Sequence, residues 1–277
     1  MLYKEATLMR LENLTSLDKK ELAPYRTLRR PLEHFTQGFF VAEGEKVVRR
    51  LLESGLQVYS LLCTPEWFAC LSPDLGGRDI TVYAGTKELL QTIVGFHLHQ
   101  GIMAVGRVPQ SPPLETFIKT DTKAHLFVAL DGLVNAENVG VLVRNCAAFG
   151  VDGILVGETS SSPYLRRAVR NSMGTVFKLP VFHTDDLATV LRWLGEKSYQ
   201  TIAAHPHHST PLESISLHEK ICVVFGSEGT GISGTILQAC SGQVCIPMMN
   251  NTDSLNVASA SAVILYEISR RRDDAGK

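Results

Sequence analysis

The chain has 277 residues, enough for one large domain or two ordinary ones, which excludes a peptide, a disulfide mini-protein or a fibre. Hydrophobic residues make up 44% and charged residues 20%, values that are typical of a globular protein and not of a disordered chain or a coiled coil. The formal net charge is −1, so the overall charge predicts no binding to nucleic acid, membrane or an acidic partner, and any such partner must be bound by a local patch.

The first third of the chain alternates strand and helix patterns, which predicts a small α/β domain over residues 1–106. The predicted strands are residues 39–42, 58–63, 80–83 and 101–108, and the predicted helices are residues 45–54, 66–71 and 87–94. Residues 107–123 contain three prolines in a polar stretch and are predicted to be a linker.

The same alternation continues over residues 124–277, which we expect to form a larger second domain. The predicted strands are residues 125–130, 153–156, 175–180, 200–204, 221–225 and 243–247, and the predicted helices are residues 139–149, 164–170, 185–197 with Thr184 as N-cap, and 254–272. Several strands are apolar along their whole length, which is typical of parallel strands that are covered on both faces. We therefore predict an α/β fold with a mostly parallel sheet, and we expect the chemistry in loops at the carboxyl ends of the strands.

The first such loop, residues 131–140, leads from a buried strand into a helix that bears Arg144. A helix that begins near Asn138 directs free backbone N–H groups at the loop. Arg144 lies among apolar residues of this helix, and a guanidinium there requires a partner. The spacing alone favours a salt bridge to the sheet, and the alternative is a bound phosphate.

The second loop, GSEGTG at residues 226–231, follows a predicted strand. Its glycines let the backbone approach a ligand closely, and Glu228 places an acid at the end of the strand. The loop lacks the lysine and the serine or threonine of a P-loop, and it is too short for a dinucleotide-binding turn. On its own it is equally typical of a tight turn.

The third loop, residues 246–256, joins a strand to the last helix, with Asp253 or Ser254 as the predicted N-cap. Ser254 and Asn256 fit a helix start as well as they fit a binding site. Small residues fill the first turns of this helix and permit another backbone to approach closely, which indicates either tight packing or contact with a second subunit.

The cysteines and histidines do not predict a metal site. None of the six cysteines forms a C-x-x-C pair, which favours reduced thiols in the core over zinc binding or disulfides. His205, His207 and His208 form a cluster, but no carboxylate or cysteine with ligand spacing accompanies them, so a polar loop is the simpler interpretation.

The three loops together form a recognisable set of motifs. Asn138, Gly140 and Arg144 form N-x-G-x-x-x-R, residues 226–231 form G-S-E-G-x-G, and I-P-M at 246–248 is followed by S-L-N at 254–256. In this order and spacing the chain closely resembles the SpoU/TrmH family of RNA ribose 2′-O-methyltransferases, within the SPOUT superfamily. The resemblance covers roughly residues 28–272 and includes RNSMG at 170–174, FVAEGE at 40–45 and HQGIMAV at 99–105. One departure is Ala136, where the family often has proline.

The resemblance implies a trefoil-knotted methyltransferase domain with a mostly parallel sheet, preceded by a small α/β substrate-binding domain. The knot is an exception to the usual rule that chains do not thread loops. The resemblance also implies S-adenosylmethionine as the methyl donor. Relatives hold the cofactor through backbone groups of the second and third loops, which makes Gly226, Ile246 and Leu255 the expected contacts, with Met248 nearby.

The expected catalytic residues come from all three motifs. A free guanidinium is not deprotonated in proteins, so Arg144 is expected to anchor a phosphate and to stabilise charge rather than to act as a literal base. Asn138, Ser254 and Asn256 are expected to orient the ribose and the RNA backbone, and Glu228 to position Arg144 or Asn138.

The implied partner is RNA, with ribosomal RNA favoured over transfer RNA because of the substrate-binding domain. Local arginine clusters at residues 29–30, 49–50, 166–170 and 270–272 could contact phosphates, although such clusters are also common on solvated helices. Relatives place the active site at a dimer interface, so we expect a homodimer. Alternatives are a transfer RNA 2′-O-methyltransferase and a non-catalytic RNA-binding protein that retains the fold; a Rossmann oxidoreductase is excluded because its glycine fingerprint is missing.

The sequence also bears on localisation. No apolar run approaches the roughly 20 residues that a bilayer-spanning helix needs. Residues 1–10 lack the apolar core of a signal peptide. We therefore expect a cytoplasmic protein that does not bind a membrane.

Overall fold

The computed structural model describes residues 9–94, 101–120, 125–206 and 209–275, which form two compact units. The first unit comprises residues 9–109 and Tyr164–Phe177, and the second comprises Gln110–Pro163 and residues 178–275. Within these described ranges, no helix is both long and apolar enough to cross a membrane.

The first unit is built on a mixed five-stranded sheet. Its strands are β1 (Arg10–Asn13), β2 (Phe39–Glu43), β3 (Val58–Cys63), β4 (Thr81–Ala84) and β5 (Ile102–Arg107), in the order β1-β4-β3-β5-β2. β4 pairs in parallel with β1 and β3, whereas β5 is antiparallel to β3 and β2. The small α/β domain predicted from the sequence therefore has a mixed sheet.

Helices connect these strands and bury one face each. They are α1 (Ala23–Arg26), α2 (Pro31–Thr36), α3 (Glu45–Glu53), α4 (Pro65–Leu75) and α5 (Lys87–Val94). In α3 the apolar residues fall at helical spacing, so Val47, Val48, Leu51 and Leu52 are all buried while the charged residues stay at the surface. Gly55, at φ +76°, follows α3 in the left-handed conformation that glycine adopts readily.

The second unit is built on a seven-stranded parallel sheet. Its strands are β6 (Leu126–Asp131), β7 (Gly153–Val156), β8 (Val181–His183), β9 (Gln200–Ala204), β10 (Thr210–Pro211), β11 (Ile221–Gly226) and β12 (Gly242–Cys245), in the order β10-β12-β9-β11-β6-β7-β8. All the pairings in this sheet are parallel. The predicted α/β fold with a mostly parallel sheet is confirmed, and the central strands β6 and β11 are buried on both faces.

Three helices of the second unit follow the predicted positions with shifted ends: α7 (Ala136–Ala148), α9 (Leu187–Glu196) and α11 (Val257–Ala275). Two more, α6 (Leu114–Thr120) and α10 (Gly234–Ala239), lie where no helix was predicted, and α8 (Arg166–Asn171) lies in the segment that belongs to the first unit. The predicted N-cap of α9, Thr184, is wrong: the side chain of Asp186 accepts the hydrogen bond from the amide of Thr189, at 2.9 Å.

The strand predicted at residues 175–180 is absent. Thr175–Lys178 form a turn of 3-10 helix, and the strand β8 begins only at Val181. Met173 and Gly174 adopt left-handed backbone conformations, at φ +55° and +78°, which turn the chain away from an extended path. The apolar residues of this stretch are buried by the turn and not by a sheet.

The boundaries of the two units differ from the predicted division at 106 and 124. The predicted linker contains helix α6, which packs in the second unit through Phe117, whose ring centroid lies 5.3 Å from that of Phe182. The segment Tyr164–Phe177 packs in the first unit, where the rings of Tyr164 and Phe177 lie 5.4 and 5.3 Å from the ring of Phe40. Aromatic packing of this kind has no periodic signature in the sequence.

A buried ion pair fixes the same segment. Glu43, at the end of β2, is 7% exposed and lies 2.5 Å from Arg166 and 3.4 Å from Arg170. Arg50 on α3 donates a hydrogen bond to the carbonyl of Met173, at 2.6 Å. These arginines, which the sequence suggested as phosphate contacts, therefore have partners within the chain.

Candidate active site

Two of the three predicted loops, the second and the third, line one cavity in the second unit. Because β6, β9, β11 and β12 are parallel, their carboxyl ends meet at one edge of the sheet. The cavity at this edge has a volume of about 320 Å³. It is lined by Ala204, His205, Pro206, Phe225, Gly226, Ser227, Glu228, Gly229, Thr230, Gly231, Ile232, Val244, Cys245, Ile246, Met248, Ser254, Leu255, Val257, Ala260 and Ile264.

The glycine loop, residues 226–231, forms one wall of the cavity. Its neck is closed by two backbone hydrogen bonds between Ser227 and Gly231, at 2.9 and 3.0 Å. A Cβ atom at Gly226 would lie only 2.5 Å from the carbonyl carbon of Gly231 and from the amide nitrogen of Ile232, so no other residue fits there. Asp131, at the end of β6, accepts a hydrogen bond from the amide of Ser233 at 2.7 Å and ties the far end of the loop to the sheet.

The third loop forms the opposite wall. Ile246, Met248 and Leu255 line the cavity, as does Ser254. Together with Gly226 of the glycine loop, the first three are the residues expected to bind the cofactor, so all four expected contacts lie around one space. The predicted cap of the last helix is wrong. Helix α11 begins at Val257, and the side chain of Asn256 accepts a hydrogen bond from the amide of Ala258 at 2.9 Å. Ser254 is therefore free of a capping role and faces the cavity.

Helix α7 brings the first motif to the same place. It begins at Ala136, earlier than predicted, because the side chain of Asn135 caps the amides of Glu137 and Asn138. Two turns further along, Asn145 donates hydrogen bonds to the carbonyl of Ala258 at 2.8 Å and to the hydroxyl of Ser261 at 2.9 Å, which fixes α7 against α11.

A chain of side-chain hydrogen bonds joins the three motifs. The amide nitrogen of Asn256 donates to the amide oxygen of Asn138, at 3.4 Å, and the amide nitrogen of Asn138 donates to the carboxylate of Glu228. The amide of Asn138 therefore has a defined orientation between a donor and an acceptor. Of the two expected partners of Glu228, the structure provides Asn138.

Arg144 stands apart from this network. Its side chain is exposed, and it forms no hydrogen bond or ion pair with the part of the chain that the structure describes. The salt bridge to the sheet that the spacing favoured is therefore wrong. An exposed guanidinium on α7 that has no partner among the described residues retains all of its donors for an external anion.

Two residues that line the cavity, Ala204 and His205, were not predicted to belong to a binding site, and His205 was assigned to a polar loop. His205 and Ala204 come directly after the buried part of β9, and the amide of His205 donates to the carbonyl of Val244 at 2.9 Å. Their position at the carboxyl end of a parallel strand was the available signal. Of the predicted histidine cluster, His207 and His208 lie outside the described residues.

The thiols of the described residues are mostly shielded. Cys63, Cys146 and Cys222 are buried, whereas Cys70 is exposed. Burial raises the pKa of the Cys63 thiol to about 12, because the charged thiolate is disfavoured away from water. No group of three or more histidines, cysteines or acids among the described residues is placed to hold a metal ion.

The arginine cluster at the end of α11 has internal partners. Arg270 pairs with Glu267 at 2.9 Å, and Arg271 donates to the carbonyls of Leu212 at 3.0 Å and Ile215 at 2.5 Å. Arg271 therefore ties the segment after β10 to α11, whereas Arg270 pairs within the helix.

Comparison with known proteins identifies the family. The model of the SpoU rRNA Methylase family matches residues 125–266. An uncharacterized tRNA/rRNA methyltransferase of Mycobacterium tuberculosis (strain ATCC 25618 / H37Rv) is 33% identical over 270 residues, which cover 94% of this chain and 92% of the relative.

Solved structures match over nearly the whole chain. An rRNA methyltransferase from Sinorhizobium meliloti superposes with a TM-score of 0.81 at 23% identity, covering 95% of this chain and 98% of the other, and it has also been crystallised with S-adenosylmethionine bound. A protein described as an RNA 2′-O ribose methyltransferase gives a TM-score of 0.77 at 25% identity, covering 94% of this chain and 99% of the other.

The fold is the α/β fold of SpoU methyltransferases, and a cavity lies at the carboxyl edge of its parallel sheet. The chain belongs to the SpoU rRNA methylase family. The resemblance drawn from the three motifs is confirmed, and so is S-adenosylmethionine as the cofactor of the family.

Proposed function

We propose that the protein transfers a methyl group from S-adenosylmethionine to a ribose 2′-hydroxyl of RNA. The observation that carries this proposal is the hydrogen-bonded chain from Asn256 through Asn138 to Glu228, which lines the cavity, together with the exposed Arg144 on the same helix as Asn138. The name of the solved neighbour described as an RNA 2′-O ribose methyltransferase is consistent with it.

The residues of the cavity suit S-adenosylmethionine. Its volume of about 320 Å³ lies in the range of small-molecule sites, roughly 300–1,000 Å³. Apolar side chains such as Ile246 and Leu255 provide walls for an adenine ring, and the tight neck at Gly226 exposes backbone groups of the glycine loop. Glu228 adds a carboxylate on the same rim, which suits a cationic ligand.

Bound in this cavity, S-adenosylmethionine would supply an electrophilic methyl group on a sulfonium. A ribose hydroxyl is a weak nucleophile at neutral pH, so the protein must orient the hydroxyl and stabilise the charge on its oxygen as the proton leaves. Asn138 is held rigidly by its two neighbours and can orient a hydroxyl by hydrogen bonding. Ser254, which faces the cavity, can hold the ribose.

Arg144 completes this arrangement as the anion-binding residue. Its guanidinium can bind a phosphate of the RNA backbone and can stabilise negative charge on the acceptor oxygen. It donates hydrogen bonds only, so the hydroxyl proton leaves to another group or to water.

The finer features implied by the family belong to the same proposal. We infer ribosomal RNA as the substrate over transfer RNA, a cytoplasmic location, a trefoil knot around the cofactor loops, and substrate binding by the first unit. We also infer a homodimer, which is supported by Val263 and Tyr266, apolar side chains of α11 that are 44% and 56% exposed.

Substitution of Arg144 tests the proposal. The acceptors are ribosomal and transfer RNA fractions from a strain that lacks the gene, and the donor is S-adenosylmethionine with a tritiated methyl group. The wild type should label RNA, with the ribosomal fraction preferred. R144A should retain cofactor binding by calorimetry within about twofold and lose at least about a hundredfold in kcat, as expected when a charge-stabilising group is removed.

A matched control is R192A, since Arg192 is an exposed arginine of α9 that bonds only to Thr189 in the described structure. R192A should label RNA at the wild-type rate. Full activity of R144A contradicts the role of Arg144, and cofactor binding without label transfer to any RNA supports the non-catalytic RNA-binding alternative.

A further inference from the structure

A fourth loop braces the first motif. We call residues 157–163, which follow β7, the bracing loop. The hydroxyl of Ser160 donates to the carbonyl of Leu130 at 2.9 Å and accepts from the amide of Leu133 at 3.2 Å. The amide of Ser161 donates to the carbonyl of Leu133 at 2.8 Å, and its hydroxyl donates to the carbonyl of Val134 at 2.7 Å. Two adjacent serines thus bond three backbone groups of Leu133 and Val134, between β6 and α7, and one carbonyl of β6.

Three of these four bonds satisfy backbone groups of Leu133 and Val134, which lie in neither β6 nor α7. The chain between β6 and α7 belongs to neither element, so its amides and carbonyls lack regular secondary-structure bonds. Leu133 is fully buried, so its amide must be satisfied from within the protein. The Ser160 hydroxyl provides that acceptor.

The segment between β6 and α7, residues 132–135, also lies close to the glycine loop, which lines the cavity. Gly132 has φ +67°, and a Cβ atom there would lie 3.7 Å from the Cβ of Ser227 and 3.8 Å from the hydroxyl of Thr159. Gly132 is therefore enclosed between the glycine loop and the bracing loop. A shift of the bracing loop moves the first motif relative to the cavity.

We propose that Ser160 and Ser161 are positioning residues for the methyl transfer. They fix the backbone up to Val134, the next residue, Asn135, caps α7, and α7 carries Asn138 and Arg144. The serines touch neither group directly and act by setting where the helix begins. This inference rests on the proposed function, because the two residues that it positions are those assigned to the acceptor.

The test combines kinetics with amide hydrogen exchange on the full chain. The variants are S160A, S161A and the double variant, with S161T as the conservative variant that keeps the hydroxyl. The matched control is S214A, since Ser214 is an exposed serine of the same unit whose hydroxyl forms no hydrogen bond with the described residues. RNA from a strain that lacks the gene is the acceptor, and tritiated S-adenosylmethionine is the donor.

We expect the double variant to lose about tenfold or more in kcat, since misplacement of catalytic groups by about 1 Å is enough for losses of that size. The dissociation constant for S-adenosylhomocysteine should stay within about twofold, because the glycine loop retains its own bonds. Exchange at the amide of Leu133 should accelerate in S160A and in the double variant. S161T and S214A should behave as the wild type.

Two results would overturn the inference. The first is a double variant with wild-type kcat and wild-type exchange at Leu133. The second is a parallel loss of cofactor affinity and kcat, since that indicates general loosening of the fold. If the double variant does not fold, the single variants decide by the same measurements. A wild type that labels no RNA refutes the proposed function instead, and the exchange data then still decide whether the serines brace the loop.

Discussion

The substitution G226A tests whether the glycine loop can accommodate a side chain at residue 226. A Cβ atom at this position would lie 2.5 Å from two backbone atoms and 2.6 Å from a third, whereas ordinary contacts begin at 3.4 Å, so the loop must move by roughly 1 Å. Overpacking of this kind costs about 1–3 kcal/mol, and backbone neighbours place the cost near the upper end because they cannot rotate away. The displaced atoms belong to Gly231 and Ile232, which line the cofactor cavity.

The expected result is weaker cofactor binding. If the overpacking destabilises the cofactor complex by about 2 kcal/mol relative to the free protein, the dissociation constant for the cofactor rises about 30-fold. Calorimetric titration with S-adenosylhomocysteine measures this change, and urea denaturation measures the accompanying loss of stability. The matched control is G229A in the same loop, where the nearest atom to an added Cβ, the Ser227 hydroxyl, is 3.9 Å away.

G229A should bind the cofactor with an affinity within about twofold of the wild type, because an added methyl group meets only ordinary van der Waals contact there. Equal affinities for G226A and the wild type would refute the argument that the neck of this loop shapes the site. Equal losses in both variants would also refute it, since only one of them forces the backbone to move.

Two further predictions concern stability. E43A should lower the free energy of unfolding by about 3 kcal/mol, because it leaves the guanidinium of Arg166, which is 13% exposed, without its buried partner. The control E33A removes the partner of Arg30 at an exposed ion pair and should lower the free energy of unfolding by less than about 1 kcal/mol. Urea denaturation measures both, and similar values would contradict the account. N145A should cost about 2 kcal/mol, because it removes both hydrogen bonds between α7 and α11, and it should also lower kcat for methyl transfer; an unchanged unfolding midpoint would count against that role.

The centre of the parallel sheet was predictable because β6, β7 and β11 are nearly continuous apolar runs. β7 and β9 have the predicted bounds, β11 is one residue longer than predicted, and β6 is shifted by one residue at both ends. Apolar runs of this length report burial on both faces, which is a local property of the sequence. By contrast, the stretch at 175–180 also contains apolar residues but becomes a helical turn, because the left-handed backbone at Met173 and Gly174 redirects it. A hydrophobic pattern carries no such information.

The sequence predicted which loops form the candidate site, but it did not predict most of the side-chain contacts within it. The parallel topology places the carboxyl ends of the strands at one edge of the sheet, so residues from distant motifs, such as Gly226 and Leu255, line one cavity. The cap of α11 was assigned to Asp253 or Ser254 because each is as good a cap as Asn256, and only the tertiary path of the loop decides between them. The partners of Arg166 and Asn145 come from remote segments, and no spacing rule predicts them.

The position of the transferred methyl group tests the central claim most directly. RNA from a strain that lacks the gene is methylated in vitro with the tritiated donor and then hydrolysed with alkali, which requires a free 2′-hydroxyl at each cleaved linkage. The account predicts that the label is recovered in an alkali-resistant dinucleotide, and that R144A produces no such product. Label recovered in mononucleotides, as expected for methylation of a base, would contradict it.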